Sequence, residues 1–251
     1  MIDKSNYDEL TAATKIVADK FLDRLFGKGD LRGAYDEFVT PNFIQHNPKI
    51  ADGIEGHKAY FNDQEKQKSE LSSAVNVINM IIVDGDKFAV HHYTFANTED
   101  VGRVSVDMWR VEHGKIVEHW DVTQAIPAEM AHSNGMAGGF GDDYEAASAL
   151  VNTVNAPTCG LPKQEYNREA SLQIVDSYAA AMRSGGDIVN IINTWLTSDY
   201  KQHSPYMEDG RAGAIKLLKA IYGQEKTALP DEKGFRLMAQ GDYTNSIKFV
   251  I

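Results

Sequence analysis

Three short stretches of the 251-residue sequence gather groups able to give, take or hold a proton. Phe43-Ile-Gln45-His46-Asn47-Pro48 sets an amide, an imidazole and a second amide side by side, and Pro48 ends regular structure after them. Val90-His91-His92-Tyr93 adds two imidazoles, and Val104 to Val122 contains Asp107, Trp109, Arg110, His119, Trp120 and Asp121. Carboxylates and imidazoles among aromatic rings are the groups that acid/base chemistry uses. Desolvation moves a carboxylate towards the working pH, and an adjacent imidazole orients it or trades protons with it.

Strands must carry the second and third stretches. Side chains alternate across a strand, which groups His91, Tyr93 and Phe95 on one face, Ser105, Asp107 and Trp109 on another, and Val117, His119 and Asp121 on a third. If those faces are concave, two acids and two or three histidines line an apolar cup, with His91, Tyr93 and Trp109 on its substrate side. His92, one residue off, is then expected to face away as a structural group. The bland alternative makes His119 and Asp121 a satisfied internal pair or a solvated outer face.

The elements that would build such a cup are legible from the period of the apolar residues. Leu10, Thr14, Val17, Phe21 and Leu25 mark an amphipathic helix stopped by Gly27 and Gly29, and Asp30 is a natural N-cap for a second helix to about Phe38. A third helix is predicted from His57 to about Lys68. The period then becomes two over 74–81, with a turn at Asp84-Gly85-Asp86 and strands at Phe88–Phe95, Arg103–Val111 and Lys115–Val122. Three helices followed by an antiparallel meander predict an α+β fold, a curved sheet closing a cone against the helices.

Shifting the sequence by 157 residues aligns Gly29/Gly186, Asp30/Asp187, Thr40/Thr197, Gln45/Gln202, His46/His203, Pro48/Pro205, Asp52/Asp209, Gly53/Gly210 and Gly56/Gly213 without a gap. Nine identities over 28 positions exceed the roughly one or two that average residue usage would give. A tandem duplication is expected: a complete domain over 1–127, a Gly- and Pro-rich connector over 128–166, and a second domain over 167–251. The second copy as given reaches only the equivalent of His91–Phe95, so it carries no counterpart of Asp107, His119 or Asp121. An open sheet edge there is expected to be covered by copy one, the connector or a second chain.

Other chemistries fit less well. A net charge of −11 speaks against binding nucleic acid. A single cysteine, Cys159, allows no internal disulfide and sits beside no evident base. The spacing of His46, His91, His119 and Asp121 matches no cupin or two-histidine metal motif, so no metal is expected. The glycines of Met136-Ala-Gly-Gly-Phe-Gly141 lack the context of a phosphate loop. No run approaches membrane-spanning length and the acidic start differs from a signal peptide, so a cytoplasmic protein is expected. Arg103 and Arg110 are read as solvated rather than anion contacts, and Tyr7 and Trp195 as core.

Gly114-Lys-Ile-Val-Glu-His-Trp-Asp-Val-Thr-Gln124, preceded by Val106-Asp107-Met-Trp-Arg110 and by Phe43-Ile-Gln-His-Asn-Pro48, resembles the SnoaL-like polyketide-cyclase branch of the NTF2-like superfamily. The resemblance spans copy one, whereas copy two shares the helices and Gln202-His203-Ser204-Pro205. It implies a cone-shaped α+β barrel that dimerises through its sheet, here as a homodimer or as a pseudo-dimer within one chain. It also implies an intramolecular aldol closure of lyase or isomerase type on a small carbonyl compound, with no metal or organic cofactor. Asp121 matches the family's acid/base aspartate, with His119 and Asp107 beside it and His46 across the pocket, while Gln45 and Asn47 orient the substrate. The rival reading is a non-catalytic ligand-binding or assembly module of the same fold.

Overall fold

The computed structural model describes residues 4–68, 75–95, 102–136, 168–223, 225–226, 235–240 and 243–248. Residues 137–166 of the expected connector, with Gly138, Gly139, Gly141 and Cys159, lie outside the described residues. Contacts divide the chain into two compact units, Met1–Ile126 with Asp142–Leu161, and Pro127–Gly141 with Pro162–Ile251. The connector is therefore shared between them. No helix among the described residues is long and apolar enough to cross a membrane.

The first unit opens with α1 (Lys4–Leu22) and a wider turn of π type over Asp23–Gly27. Thr14, Val17, Ala18, Phe21 and Leu22 are buried along one stripe, but Leu10 is exposed. The helix instead starts on the sheet through polar contacts: the Tyr7 hydroxyl donates to Asp84 at 2.5 Å, and Gly85 N–H donates to Thr11 Oγ1 at 3.0 Å. Asp30 caps α2 (Leu31–Phe38) by accepting from Gly33 N–H at 2.9 Å, as its position before the apolar stripe predicts. Strand β1 (Val39–Gln45) and α3 (Gly53–Lys68) follow, then β2 (Val75–Asp84), β3 (Lys87–Phe95), β4 (Arg103–Glu112) and β5 (Lys115–Ala125).

The sheet order is β1-β5-β4-β3-β2. Strands β2 to β5 form the expected antiparallel meander, yet β1 lies parallel to β5, so the sheet is mixed rather than purely antiparallel. One sheet face, bearing Phe88, Val90 and Trp109, packs on the helices in a core with Val17, Phe21, Tyr35, Phe38 and Phe43. Phe21 is its hub, edge-on to Tyr35, Phe38, Phe88 and Trp109 at centroid distances of 5.4–6.2 Å.

The second unit contains α4 (Arg168–Ser184), β6 (Gly186–Asp187), α5 (Ile188–Trp195), α6 (Gly210–Tyr222), β7 (Glu225–Lys226), β8 (Phe235–Gln240) and β9 (Tyr243–Lys248). It reuses the devices of the first at the 157-residue offset. Asp187 caps α5 by accepting from Val189 N–H at 2.9 Å. Gln202 N–H donates to Asp209 Oδ1 at 2.9 Å, as Gln45 N–H does to Asp52 Oδ1 at 2.8 Å. Gly53 and Gly210 both hold positive φ, at 81° and 73°. Strands β8 and β9 pair antiparallel on either side of 241–242, as β2 and β3 do around Gly85-Asp86. Residues 131–135 belong to this unit and bind its 202–205 loop. Ala131 N–H donates to the Pro205 carbonyl and Asn134 Nδ2 to the Gln202 carbonyl, while His203 Nδ1 meets the Gly135 carbonyl at 2.7 Å.

Candidate functional site

Parallel pairing of β1 with β5 sets Gln45 opposite His119, and His46 N–H donates to the His119 carbonyl at 3.1 Å. Across the meander, Trp109 opposes Phe88 and His119, and Asp107 opposes Val90 and Asp121. These side chains therefore share the helix-facing side of the sheet. The loop after β1 is locked by Asp52, and Asn47 N–H donates to Gln45 Oε1 at 2.8 Å.

That last bond orients the whole polar network. A backbone N–H can only donate, so the atom facing it must be the Gln45 oxygen, which leaves Gln45 Nε2 to donate to His57 Nδ1 at 2.9 Å. His57 is then neutral with its proton on Nε2, and burial followed by the neighbouring His119 pushes its pKa down to about 3. The same Gln45 oxygen lies 3.1 Å from His119 Nδ1, which must donate to it. His119 Nε2 is thereby directed at Asp107 Oδ1, 2.9 Å away, while His92 Nε2 lies 2.7 Å from Asp107 Oδ2. Burial opposes ionisation of Asp107, but the hydrogen bonds from His119 and His92 prevail and hold its carboxyl far below the usual range.

Asp121, half-buried, completes the cluster at its outer end. Its Oδ2 accepts from Asn47 Nδ2 at 2.5 Å, and one donor atom from each of Asp107, His119 and Asp121 lies within 4.8 Å of the others. Aromatic rings form the walls. His119 stacks on Trp109 at 5.0 Å and on Phe43 at 6.2 Å, and Phe26 covers His92 at 5.1 Å. Tyr35 stacks on His57 at 4.2 Å; burial and then the charges of Asp107 and Asp121 push its phenol well above the ordinary value.

The structure therefore brings Asp107, His119, Asp121, Gln45, Asn47 and Trp109 together. Three expectations about placement are corrected. Because Val90 opposes Asp107, His91 and Tyr93 point to the other face of the sheet and His92 enters the cup. His46 alternates out from Gln45, stacks on Trp120 at 5.0 Å and meets Glu118 Oε1 at 2.9 Å. Burial works against Glu118, yet bonds from His46 and Arg110 hold its carboxyl below its usual value, so Arg110 is an ion-pair partner rather than a solvated group. Tyr35, His57 and His92 are contributions that reading the strands missed. A signal for the first two lay in the repeat itself: at the 157-residue offset they stand opposite Ile192 and Ala214.

Asp107, His119 and Asp121 are also the donors that could hold a metal ion, although both Asp107 oxygens are here bonded to imidazole nitrogens.

Residues 18–119 match the family described as SnoaL-like domain. Among solved structures, one from Jannaschia described as a SnoaL-like polyketide cyclase is 19% identical, with a TM-score of 0.36, over 43% of this chain and 86% of that one. One from Bacillus cereus described as a polyketide cyclase is 22% identical, with a TM-score of 0.37, over 45% and 74%. IdmH, described as a polyketide cyclase from Streptomyces antibioticus, is 19% identical, with a TM-score of 0.34, over 44% and 91%. No curated protein matches the chain.

Proposed function

From the premise that this chain carries a SnoaL-like domain of the NTF2-like fold, we propose that its first unit is an acid/base catalyst acting on a small apolar carbonyl compound, without metal or organic cofactor. The observation that carries this reading is the Asp107–His119–Asp121 cluster, held on the helix-facing side of the sheet with Asp107 fixed between two imidazoles. Asp121 takes the proton from the carbon next to the carbonyl: the C–H bond breaks, an O–H bond forms, and the electron pair moves to the carbonyl oxygen. The resulting enolate either attacks a second carbonyl of the same molecule, whose alkoxide then takes the proton back from Asp121, or is reprotonated by Asp121 at a different atom, giving aldol closure or isomerisation respectively. Asn47 anchors Asp121 with one amide hydrogen and offers the other to the substrate oxygen. Trp109, Phe43 and Phe26 supply apolar walls that keep the charges poorly hydrated.

The second unit is read as a second copy of the same fold, supported by the recurrence of cap, loop bond and glycine conformation at one offset.

Proton abstraction is measurable without knowing the natural substrate. Small ketones incubated with the protein in D2O should exchange their α-hydrogens, read by proton NMR, and Asp121→Asn should slow this by roughly 100-fold or more. Equal exchange in wild type and Asp121→Asn would remove Asp121 from the mechanism. Saturable ketone binding with no exchange would favour a ligand-binding module.

A further inference from the structure

The buried polar layer beneath the cup is not something the fold requires. His57 and Tyr35 stack at 4.2 Å and are 2% and 3% exposed, so an imidazole and a phenol occupy a place where apolar groups would pack at lower cost. The second unit supplies the comparison. At the 157-residue offset it has Ile192 for Tyr35 and Ala214 for His57, both buried in its apolar core. Its glutamine is also wired differently. Gln202 Nε2 donates to the Tyr200 hydroxyl at 2.9 Å, and its oxygen accepts from Ser204 N–H at 2.6 Å and His203 N–H at 2.9 Å. The loop bond from backbone to glutamine oxygen is common to both units. Among the described residues, the link to two histidines occurs in the unit that holds the Asp107–His119–Asp121 cluster and not at Gln202.

We infer that Gln45 and His57 are positioning residues that lock the proton of His119 onto Nδ1, making Nε2 the only nitrogen through which His119 exchanges protons with Asp107. Gln45 is 9% exposed, and its oxygen and one amide hydrogen are committed within the network. On this inference Gln45 orients His119 in place of the substrate carbonyl. The direction of the relay follows from donor and acceptor types alone. Asn47 N–H fixes the amide oxygen, the amide nitrogen needs an acceptor, His57 Nδ1 provides it, and His119 Nδ1 must donate to the oxygen. With the amide held at both ends, His119 cannot rotate or change tautomer without leaving a buried group unsatisfied.

The inference rests on the acid/base reading of the cup, but its test reads the proton itself. Long-range proton–nitrogen NMR correlation of the full-length protein, labelled with nitrogen-15 in histidine, distinguishes the two neutral tautomers and the cation. In wild type, His119 Nδ1 should be protonated throughout and His57 should be the neutral Nε2–H form. His57→Ala, which introduces the residue of the second unit, and Gln45→Met should each free Nδ1 of its acceptor, so that His119 shows a neutral form protonated on Nε2 and donating to Asp107. His57→Asn, whose side-chain oxygen can stand in for Nδ1 as acceptor, should restore the wild-type pattern. Ketone exchange should fall roughly tenfold or more in kcat with KM little changed in the first two variants, and recover in the third.

An unchanged His119 pattern in both folded variants would overturn the inference, and circular dichroism checks folding. Should His57→Ala fail to fold, Gln45→Met decides alone, because it keeps the Tyr35–His57 stack. The two readings fail separately. A tautomer shift in a protein that exchanges no ketone leaves the lock standing and removes the catalysis, whereas exchange with an unchanged pattern does the reverse.

Discussion

His57 also leaves a signature in stability. Its folded pKa lies near 3, whereas an unfolded histidine titrates near about 6.5. Between those values the unfolded chain binds a proton that the folded chain does not, so stability is intact above about pH 6.5 and falls as the pH drops, by at most about 1.4 kcal/mol per unit. Asp107 acts in a lower window. Its folded pKa is depressed, so its contribution is present above about pH 4 and is lost as the pH falls further. Urea unfolding of wild type and His57→Asn at about pH 7.5, 6 and 4.5 separates the two. The variant should lose about one proton of slope between pH 6.5 and 4, and equal slopes would mean that His57 is not buried neutral.

At the scale of elements, two glycines from the repeat explain why the loop-to-helix corner tolerates little change. A Cβ on Gly56 would sit 2.2 Å from the Ala51 carbonyl oxygen, and one on Gly213 would sit 1.8 Å from that of Glu208. Neither neighbour is a flexible side-chain end, so Gly56→Ala and Gly213→Ala should each destabilise the protein by about 1–3 kcal/mol, measured by chemical denaturation. Phe21→Ala, which empties the aromatic hub, should cost about 3–5 kcal/mol. Much of this framework was legible in the chain. Asp30 and Asp187 announce their helices through local spacing, and the turns at Gly85-Asp86 and Glu112-His113-Gly114 join strands close to their expected limits. What was not legible depends on pairing between distant segments. The alternation within β3 was read correctly, but its parity against β4 comes from register, so His91 and His92 exchanged faces. No strand is predicted for the stretch that forms β1, which hides that His46 must point away from Gln45. Reaching His57 required knowing that α3 packs against β1.

For the whole molecule, the two units set similar local devices in different surroundings. In the second, His203 meets the Gly135 carbonyl and Asn134 donates to the Gln202 carbonyl, so the segment after the first unit's last strand is tied down rather than free. His203→Ala should raise amide hydrogen exchange over residues 131–136 while leaving ketone exchange unchanged, as mass spectrometry of peptides from that stretch would register. A change in activity instead would couple this loop to the cup. The pairing of β1 with β5 also bears on when the candidate site forms. Gln45 and His119 are 74 residues apart in the chain, and no local hairpin can bring them together. Loop closure over that span is slow beside hairpin formation, which takes microseconds. On a ribosome the Gln45–His119 network cannot assemble until β5 has emerged, and in refolding any recovery of the proposed ketone exchange should trail the formation of the β2–β3 hairpin. The candidate site is thus among the last parts of its unit to come into being.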